Sequence, residues 1–407
     1  MMRGVGVFAA VSVLGTAALL VASSAAPQGT VVRVRVTPVV AKAGASILVR
    51  AAVRPAGKRC TGTVRRPGAA AARLPSRKAL RGVVSWRWRV PASAKGGRAS
   101  ARVACAGARA GSARFRIVPR PAPDPVIAAV GDIACDPESR AFGGGNGTER
   151  NCRQKAVSDL VVDAGYAAVL VLGDIQYEDG AYWKFLQSYD RSWGRVKAIT
   201  RPAVGNHEYL TPDAAGYFQY FGAAAGQPGL GYYSYDLGTW HLIALNSQCN
   251  KGGRCGAGSQ QETWLREDLA THPRRCMLAY WHDPRFSSGQ HGGSRQMAVI
   301  WNDLVAAGVD VVLAGHNHVY ERFEPLGAAA LATEEPSPSP TGIRQFVVGT
   351  GGKNVTRFTQ PPLPGETVRN DQTYGVLRLT LRPDSYEWRF VPESGKTFTD
   401  SGSGRCS

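Results

Sequence analysis

The chain has 407 residues and a formal net charge of +19, with 49 Lys and Arg against 30 Asp and Glu. That length accommodates two domains and a sizeable core. After residue 26 no stretch is long and apolar enough to cross a bilayer, which excludes a polytopic membrane protein.

Residues 1–26 begin with Arg3, continue as small apolar residues from Gly4 to Ala22, and end on Ala22-Ser23-Ser24-Ala25-Ala26. This is the pattern of a secretory signal peptide, so a secreted or cell-wall-associated mature protein is expected. The alternative is an N-terminal membrane anchor, for which the apolar run is marginal in length. Eight cysteines follow: Cys60, Cys105, Cys135, Cys152, Cys249, Cys255, Cys276 and Cys406. An even count in an exported chain points to disulfides. Sequence order suggests the pairs Cys60–Cys105, Cys135–Cys152, Cys249–Cys255 and Cys276–Cys406, although order alone does not determine connectivity. A thiolate metal site is the weaker reading, because no CxxC pair is present.

Residues 27–120 hold 18 Arg, 4 Lys and no Asp or Glu, whereas residues 121–407 hold 26 basic and 30 acidic side chains. Within the basic segment Val32-Arg33-Val34-Arg35-Val36, Trp86-Arg87-Trp88-Arg89-Val90 and Ala113-Arg114-Phe115-Arg116-Ile117 alternate strictly. Period-2 alternation gives each strand one apolar face and one Arg face. An all-β, Ig-like sandwich is expected, its two sheets stapled by Cys60 and Cys105. A coding bias accounts for Arg over Lys but not for the missing carboxylates. Rows of Arg create a strong positive field, so the expected partner of this domain is an anionic polymer: cell-wall polymer, membrane surface or extracellular nucleic acid. Residues 121–125 lie in the stiff, extended run Pro119 to Pro125 and read as a linker.

The pattern then changes, and residues 126–407 read as one further domain. Val126–Val130 and Ala167–Leu172 are short apolar runs ending in Gly131-Asp132 and Gly173-Asp174. Arg153–Val162 has helical spacing, Val204 leads into Gly205-Asn206-His207-Glu208, and His241–Leu245 is a strand. Gln261–Leu269 reads as a helix, Met277–Trp281 as a strand ending at His282, and Arg295–Ala306 as a helix. Val309–Ala314 is a buried strand ending in Gly315-His316-Asn317-His318. Ala332–Pro340 reads as a polar surface loop, Phe346–Val348 runs into the glycine-rich turn 349–352, and Val376–Leu381 and Tyr386–Phe390 suggest an antiparallel end to the sheet. Apolar strands alternating with helices indicate an α/β fold with both sheet faces covered. Sites in such folds form beyond the carboxyl ends of the strands, where Asp132, Asp174, His282 and His316 all stand.

Of seven His, five fall in these loops: His207, His282, His291, His316 and His318. Hard oxygen donors with imidazoles and no thiolate suit Fe, Zn, Mn or similar ions. The ordered set Gly131-Asp132, Gly173-Asp174-Ile175-Gln176-Tyr177, Gly205-Asn206-His207-Glu208, His282 and Gly315-His316-Asn317-His318 resembles the calcineurin-like metallophosphoesterases. Tyr177, three places after Asp174, makes it similar to their purple acid phosphatase branch. The resemblance covers residues 126–390.

It implies a metallophosphoesterase sandwich of two central β-sheets flanked by helices. It implies two metal ions, Fe(III) held by Asp132, Tyr177 and His318, and Fe(II), Zn(II) or Mn(II) held by Asn206, His282 and His316, with Asp174 bridging. It implies hydrolysis of phosphate monoesters by water activated between the ions, with His207 and His291 beside the substrate as catalytic residues. A phosphodiesterase or nucleotidase on the same centre is the enzymatic alternative. A polyanion-binding surface protein with an inactive phosphoesterase domain is the non-enzymatic one. Tyr177 as a core tyrosine stands against its reading as a ligand. Glu208 either orients His207 or caps its loop, and Arg285 is either a phosphate binder or a surface arginine. The sequence departs from the family's first motif, Gly-Asp-x-Gly, by carrying Ala134.

Overall fold

The computed structural model describes residues 31–329 and 335–407. The expected signal segment lies outside them, as does part of the expected 332–340 loop. The chain divides into two compact units between Ala122 and Pro123. Among the described residues no helix is long and apolar enough to cross a membrane.

Among its described residues the first unit contains strands and no helix: β1 (Val31–Thr37), β2 (Val40–Lys42), β3 (Ser46–Arg54), β4 (Arg59–Arg65), β5 (Ala72–Lys78), β6 (Val83–Arg89), β7 (Gly97–Cys105) and β8 (Gly111–Val118). They form two sheets, β1-β3-β6 and β2-β8-β7-β4-β5. The alternation read from the sequence is the packing pattern. Val32, Val36, Val49, Val53, Trp86, Val103, Phe115 and Ile117 are buried in one core, while the arginines between them face outward. Cys60 and Cys105 do bond to each other. They do not staple the two sheets, however, because β4 and β7 are neighbours in one sheet and the two cysteines are direct cross-strand partners. The sheets are held together by apolar burial instead.

The second unit adds β9 (Val126–Val130), β10 (Ala168–Leu172), β11 (Thr200–Ala203), β12 (Tyr233–Leu237), β13 (Trp240–Ala244), β14 (Cys276–Tyr280), β15 (Val311–Ala314), β16 (Tyr320–Leu326), β17 (Ile343–Val348), β18 (Glu366–Asn370), β19 (Gly375–Leu381), β20 (Ser385–Pro392) and β21 (Ser401–Arg405). One sheet has the order β11-β10-β9-β19-β20-β21 and the other β12-β13-β14-β15-β17-β16-β18. The wholly apolar strands serve two cores by alternation. Leu242, Leu278, Tyr280, Val311 and Leu313 share a core with Ile127, Leu170 and Leu379 of the other sheet. Ile243, Met277, Ala279 and Val312 face Leu265, Ile300, Trp301 and Leu304 of the helices Gln260–Thr271 and Ala298–Ala306. The helix Gln260–Thr271 starts where Ser259 accepts a hydrogen bond from the Glu262 N–H, which satisfies one otherwise unpaired donor. Parallel pairing of β9, β10 and β11, and of β13, β14 and β15, sends the loops after Val130, Leu172, Ala203, Tyr280 and Ala314 to the carboxyl ends of both sheets. The other three disulfides join Cys135–Cys152, Cys249–Cys255 and Cys276–Cys406.

The two His outside the site loops form a separate network. His241 is buried on β13, with Nδ1 2.9 Å from Asp236 and Nε2 2.8 Å from Asp268. Ser234 donates to Asp268, Arg274 donates to Asp236, and the His272 ring stacks on His241 at 4.9 Å. Burial pushes His241 down, but Asp268 and Asp236 outweigh it and raise it above its ordinary 6.5. Burial pushes Asp268 up, but His241 outweighs it and holds Asp268 below its ordinary 3.8. The pair's contribution to stability is therefore full between 3.8 and 6.5. It is lost as pH rises through the raised His241 value, and as pH falls through the depressed Asp268 value. His241→Gln is expected to lower Tm most near about pH 5–6 and progressively less as pH rises above the ordinary imidazole range, read by thermal unfolding across pH. An equal loss at every pH would show that the folded protein holds this imidazole neutral.

Candidate metal centre

The loops after the parallel strands bring the seven expected ligands together. Asp132 follows β9, Asp174 follows β10, and Asn206 lies beyond β11. His282 follows β14, and His316 and His318 follow β15. The two sheets are tied at this rim by contacts between side chains of one and the backbone of the other. His282 Nδ1 lies 2.8 Å from the Leu172 carbonyl, and the His316 N–H donates to Asp132 at 2.9 Å.

The sharp exits fall on the ligands themselves: Asp132, Asp174 and His316 have φ of 63°, 46° and 69°. For non-glycine residues that conformation is costly, and such residues concentrate at functional sites. Gly205 and Gly315 serve close approach rather than the turn. A Cβ on Gly205 would stand 2.3 Å from Asp174 Oδ1, and one on Gly315 would stand 2.7 Å from Asp132 Oδ2. Ala134 does not carry a positive φ. Its carbonyl accepts the Tyr177 N–H at 2.8 Å, so the departure from the family motif leaves this backbone contact in place.

The donors form two groups. Tyr177 Oη lies 3.0 Å from Asp132 Oδ1 and 2.9 Å from His318 Nε2, and His318 Nε2 is 3.3 Å from Asp132 Oδ1. His282 Nε2 lies 3.1 Å from Asn206 Oδ1 and 3.2 Å from His316 Nδ1. Asp174 Oδ2 reaches both groups, at 3.1 Å from Tyr177 Oη and 3.2 Å from His282 Nε2. Asp174, His282 and His316 each present an atom within 4.8 Å of the others'.

The electrostatics fit a cation. Burial pushes Tyr177 well above the usual phenol range, and Asp132 and Asp174 push it further. Burial pushes His282 down, but Asp174 outweighs it and raises His282 well above the usual imidazole range. Burial pushes Asp174 up, but His282 and His207 outweigh it and hold Asp174 well below the carboxylate range. The protons on Tyr177 and His282 thus sit where metal charge would act, and a metal ion inverts that local balance. Hard oxygens and imidazole nitrogens within mutual reach are a donor set for first-row metals.

Several supporting residues were not legible as such in the sequence. His316 Nε2 is 3.6 Å from Asp283, which accepts from Ser247 and Gln248. His318 Nδ1 lies 3.1 Å from Asn354. With the Leu172 carbonyl on His282, each imidazole has a group on its other nitrogen, the arrangement that orients ligating histidines. Asn317, between two ligands, is buried; it accepts the His291 N–H at 2.7 Å and donates to the Gly292 carbonyl. Glu208 is fully buried and accepts from the N–H groups of Ile175, Gln176 and Gly205 at 2.8, 3.1 and 2.8 Å. It ties the Asp174 turn to the Asn206 loop rather than orienting His207.

His207 and His291 flank the donors. The His207 ring is 4.3 Å from Tyr177, with Nε2 3.8 Å from Asp174 and Nδ1 against the Glu178 carbonyl. The His291 ring is 4.7 Å from His316. Arg285 is buried and packed on Phe286, so it is not a surface arginine.

Residues 125–320 match the calcineurin-like phosphoesterase family. The chain is 27% identical over 249 residues to purple acid phosphatase 18 of Arabidopsis thaliana, covering 56% of this chain and 53% of that protein. It is 24% identical over 266 residues to a nucleotide pyrophosphatase/phosphodiesterase of Hordeum vulgare, covering 56% of this chain and 68% of that one. The solved purple acid phosphatase PPD1 from yellow lupin (Lupinus luteus) seeds shares the fold, with a TM-score of 0.57 at 14% identity over 92% of this chain and 74% of that chain. The chain spans about half the length of the plant phosphatases it first matches, 53% in each case.

Proposed function

With residues 125–320 forming a calcineurin-like phosphoesterase domain similar to the purple acid phosphatases, we propose that the chain is a secreted phosphatase that hydrolyses phosphate monoesters at a dinuclear metal centre. The observation that carries this reading is the position of Asp174 Oδ2, within 3.1–3.2 Å of a donor from each of the two ligand groups. Asp132, Tyr177 and His318 would hold one ion, Fe(III), and Asn206, His282 and His316 the other, Fe(II), Zn(II) or Mn(II). Two ions side by side clamp phosphate oxygens and lower the pKa of water enough for attack near neutral pH. Asn206 offers a neutral carbonyl oxygen, so the site keeps an excess of positive charge for an anionic ester. His207 and His291 stand on either side of the donors, where an imidazole can hold a phosphate oxygen or deliver a proton to the leaving alkoxide. In this reading the basic first unit binds an anionic polymer.

A diesterase reading is favoured by one feature. A cavity of about 890 Å³ beside the His207 loop is lined by Tyr209, Lys251 and Arg254 together with Asp213, and its two cations against one carboxylate would accept a second anionic substituent. The purified chain is expected to release nitrophenol faster from p-nitrophenyl phosphate than from bis(p-nitrophenyl) phosphate. The reverse order of kcat/KM would establish the diesterase, and no release from either would refute both.

A further inference from the structure

Several arginines of the first unit are brought together on one face of its larger sheet. Strands β4, β7 and β8 lie side by side, and their register sets Arg65 opposite Ser100 and Ser100 opposite Arg114. Neighbouring strands are spaced at about 4.8 Å, so one short serine lies between two long guanidinium arms. The same register sets Arg98 opposite Arg116, one step along the same face. Arg66 follows β4, and its Nε is buried with no hydrogen-bond partner among the described residues. Arg65, Arg66, Arg98, Ser100 and Arg114 together line a concavity of about 410 Å³.

Nothing in this unit neutralises that cluster. Residues 27–120 contain no Asp or Glu, and none of these four arginines is in a described ion pair. Four like charges around one hollow repel each other, and a bound anion removes that cost. The planar guanidinium fork matches phosphate oxygens two at a time. Among the described residues no aromatic side chain lines the hollow, whereas single-stranded nucleic acid is held by base stacking on aromatic platforms.

We propose that the hollow formed by Arg65, Arg66, Arg98 and Arg114 around Ser100 is a binding site for a linear chain of phosphate groups that carries no bases. This rests on the reading of the first unit as a binder of anionic polymer and gives it a location and a ligand chemistry. The site holds the polymer by its phosphates alone, so its affinity is set by salt and by the guanidinium forks.

The test is binding of the full chain to inorganic polyphosphate, by titration calorimetry at several salt concentrations. Three variants are compared with the parent: Arg98→Ala/Arg114→Ala, the charge-preserving Arg98→Lys/Arg114→Lys, and Arg33→Ala/Arg50→Ala on the outer face of the other sheet. The parent is expected to bind and to weaken as salt rises. The Arg98/Arg114 alanine pair is expected to raise Kd at least about tenfold, the lysine pair by less, and the Arg33/Arg50 pair by less than about threefold. Equal losses from the two alanine pairs would leave the polymer-binding reading standing and overturn the site. Tighter binding of single-stranded DNA than of polyphosphate would overturn the base-free ligand. Absence of binding at low salt would overturn both the site and the reading it rests on.

Discussion

Asp174→Asn is expected to lower kcat by at least about 1,000-fold, roughly 4 kcal/mol of transition-state stabilisation, with little change in Tm. The substitution keeps the side chain's shape. The retained amide oxygen can still accept the His207 N–H, now 2.9 Å from Asp174 Oδ1. What it removes is the negative charge on the one oxygen that reaches both donor groups. An amide oxygen is a poor bridge between two cations, so one ion is expected to be lost. Steady-state kinetics, metal analysis and thermal unfolding on the same preparation separate this from misfolding. Unchanged turnover would remove Asp174 from the reaction.

Glu208→Ala is expected to cost about 3 kcal/mol or more of stability, because it strands three buried backbone N–H groups. Burial, with Asp174 adding to it, pushes Glu208 up to about 7. The carboxylate nevertheless accepts from both the Asp174 turn and the Asn206 loop, so its loss also frees one ligand loop to drift from the other. Glu208→Gln preserves size but sets an NH₂ against a backbone donor. It is expected to keep more of the fold and to lose about 10- to 100-fold in metal affinity or activity, as changes to groups supporting metal ligands do. Urea unfolding and metal titration of both variants check this. A Glu208→Ala protein with parental stability and metal content would show that the loops hold each other without it.

Four of the expected ligands, Asp132, Asp174, His282 and His316, were legible in the sequence because each is a polar residue just past a short apolar run, whereas Tyr177, Asn206 and His318 were reached only through the resemblance. Parallel strands of two sheets then bring Asp132, Asp174, His282 and His316 to one rim. The groups behind them were not legible, because nothing local marks them. Asp283 reads as one more loop carboxylate until Ser247, 36 residues away, meets it. Asn354 becomes a partner of His318 only through the turn 349–352. Glu208 is beside His207 in sequence but serves Ile175 and Gln176 in space. In the first unit the same limit applies to Cys60 and Cys105. Their pairing was suggested by order but not determined by it, and which strands they join depended on a register that alternation alone does not set. Strand β18 was missed because its half-buried ETVRN lacks an apolar run.

The central claim is a two-ion centre on this rim, and metal analysis of the purified full chain tests it most directly. Two ions per chain are predicted, falling in Asp174→Asn, with a visible absorption band from a Tyr–Fe(III) pair that Tyr177→Phe abolishes. A protein that holds less than one ion per chain and still hydrolyses phosphate esters after exhaustive chelation would contradict the account.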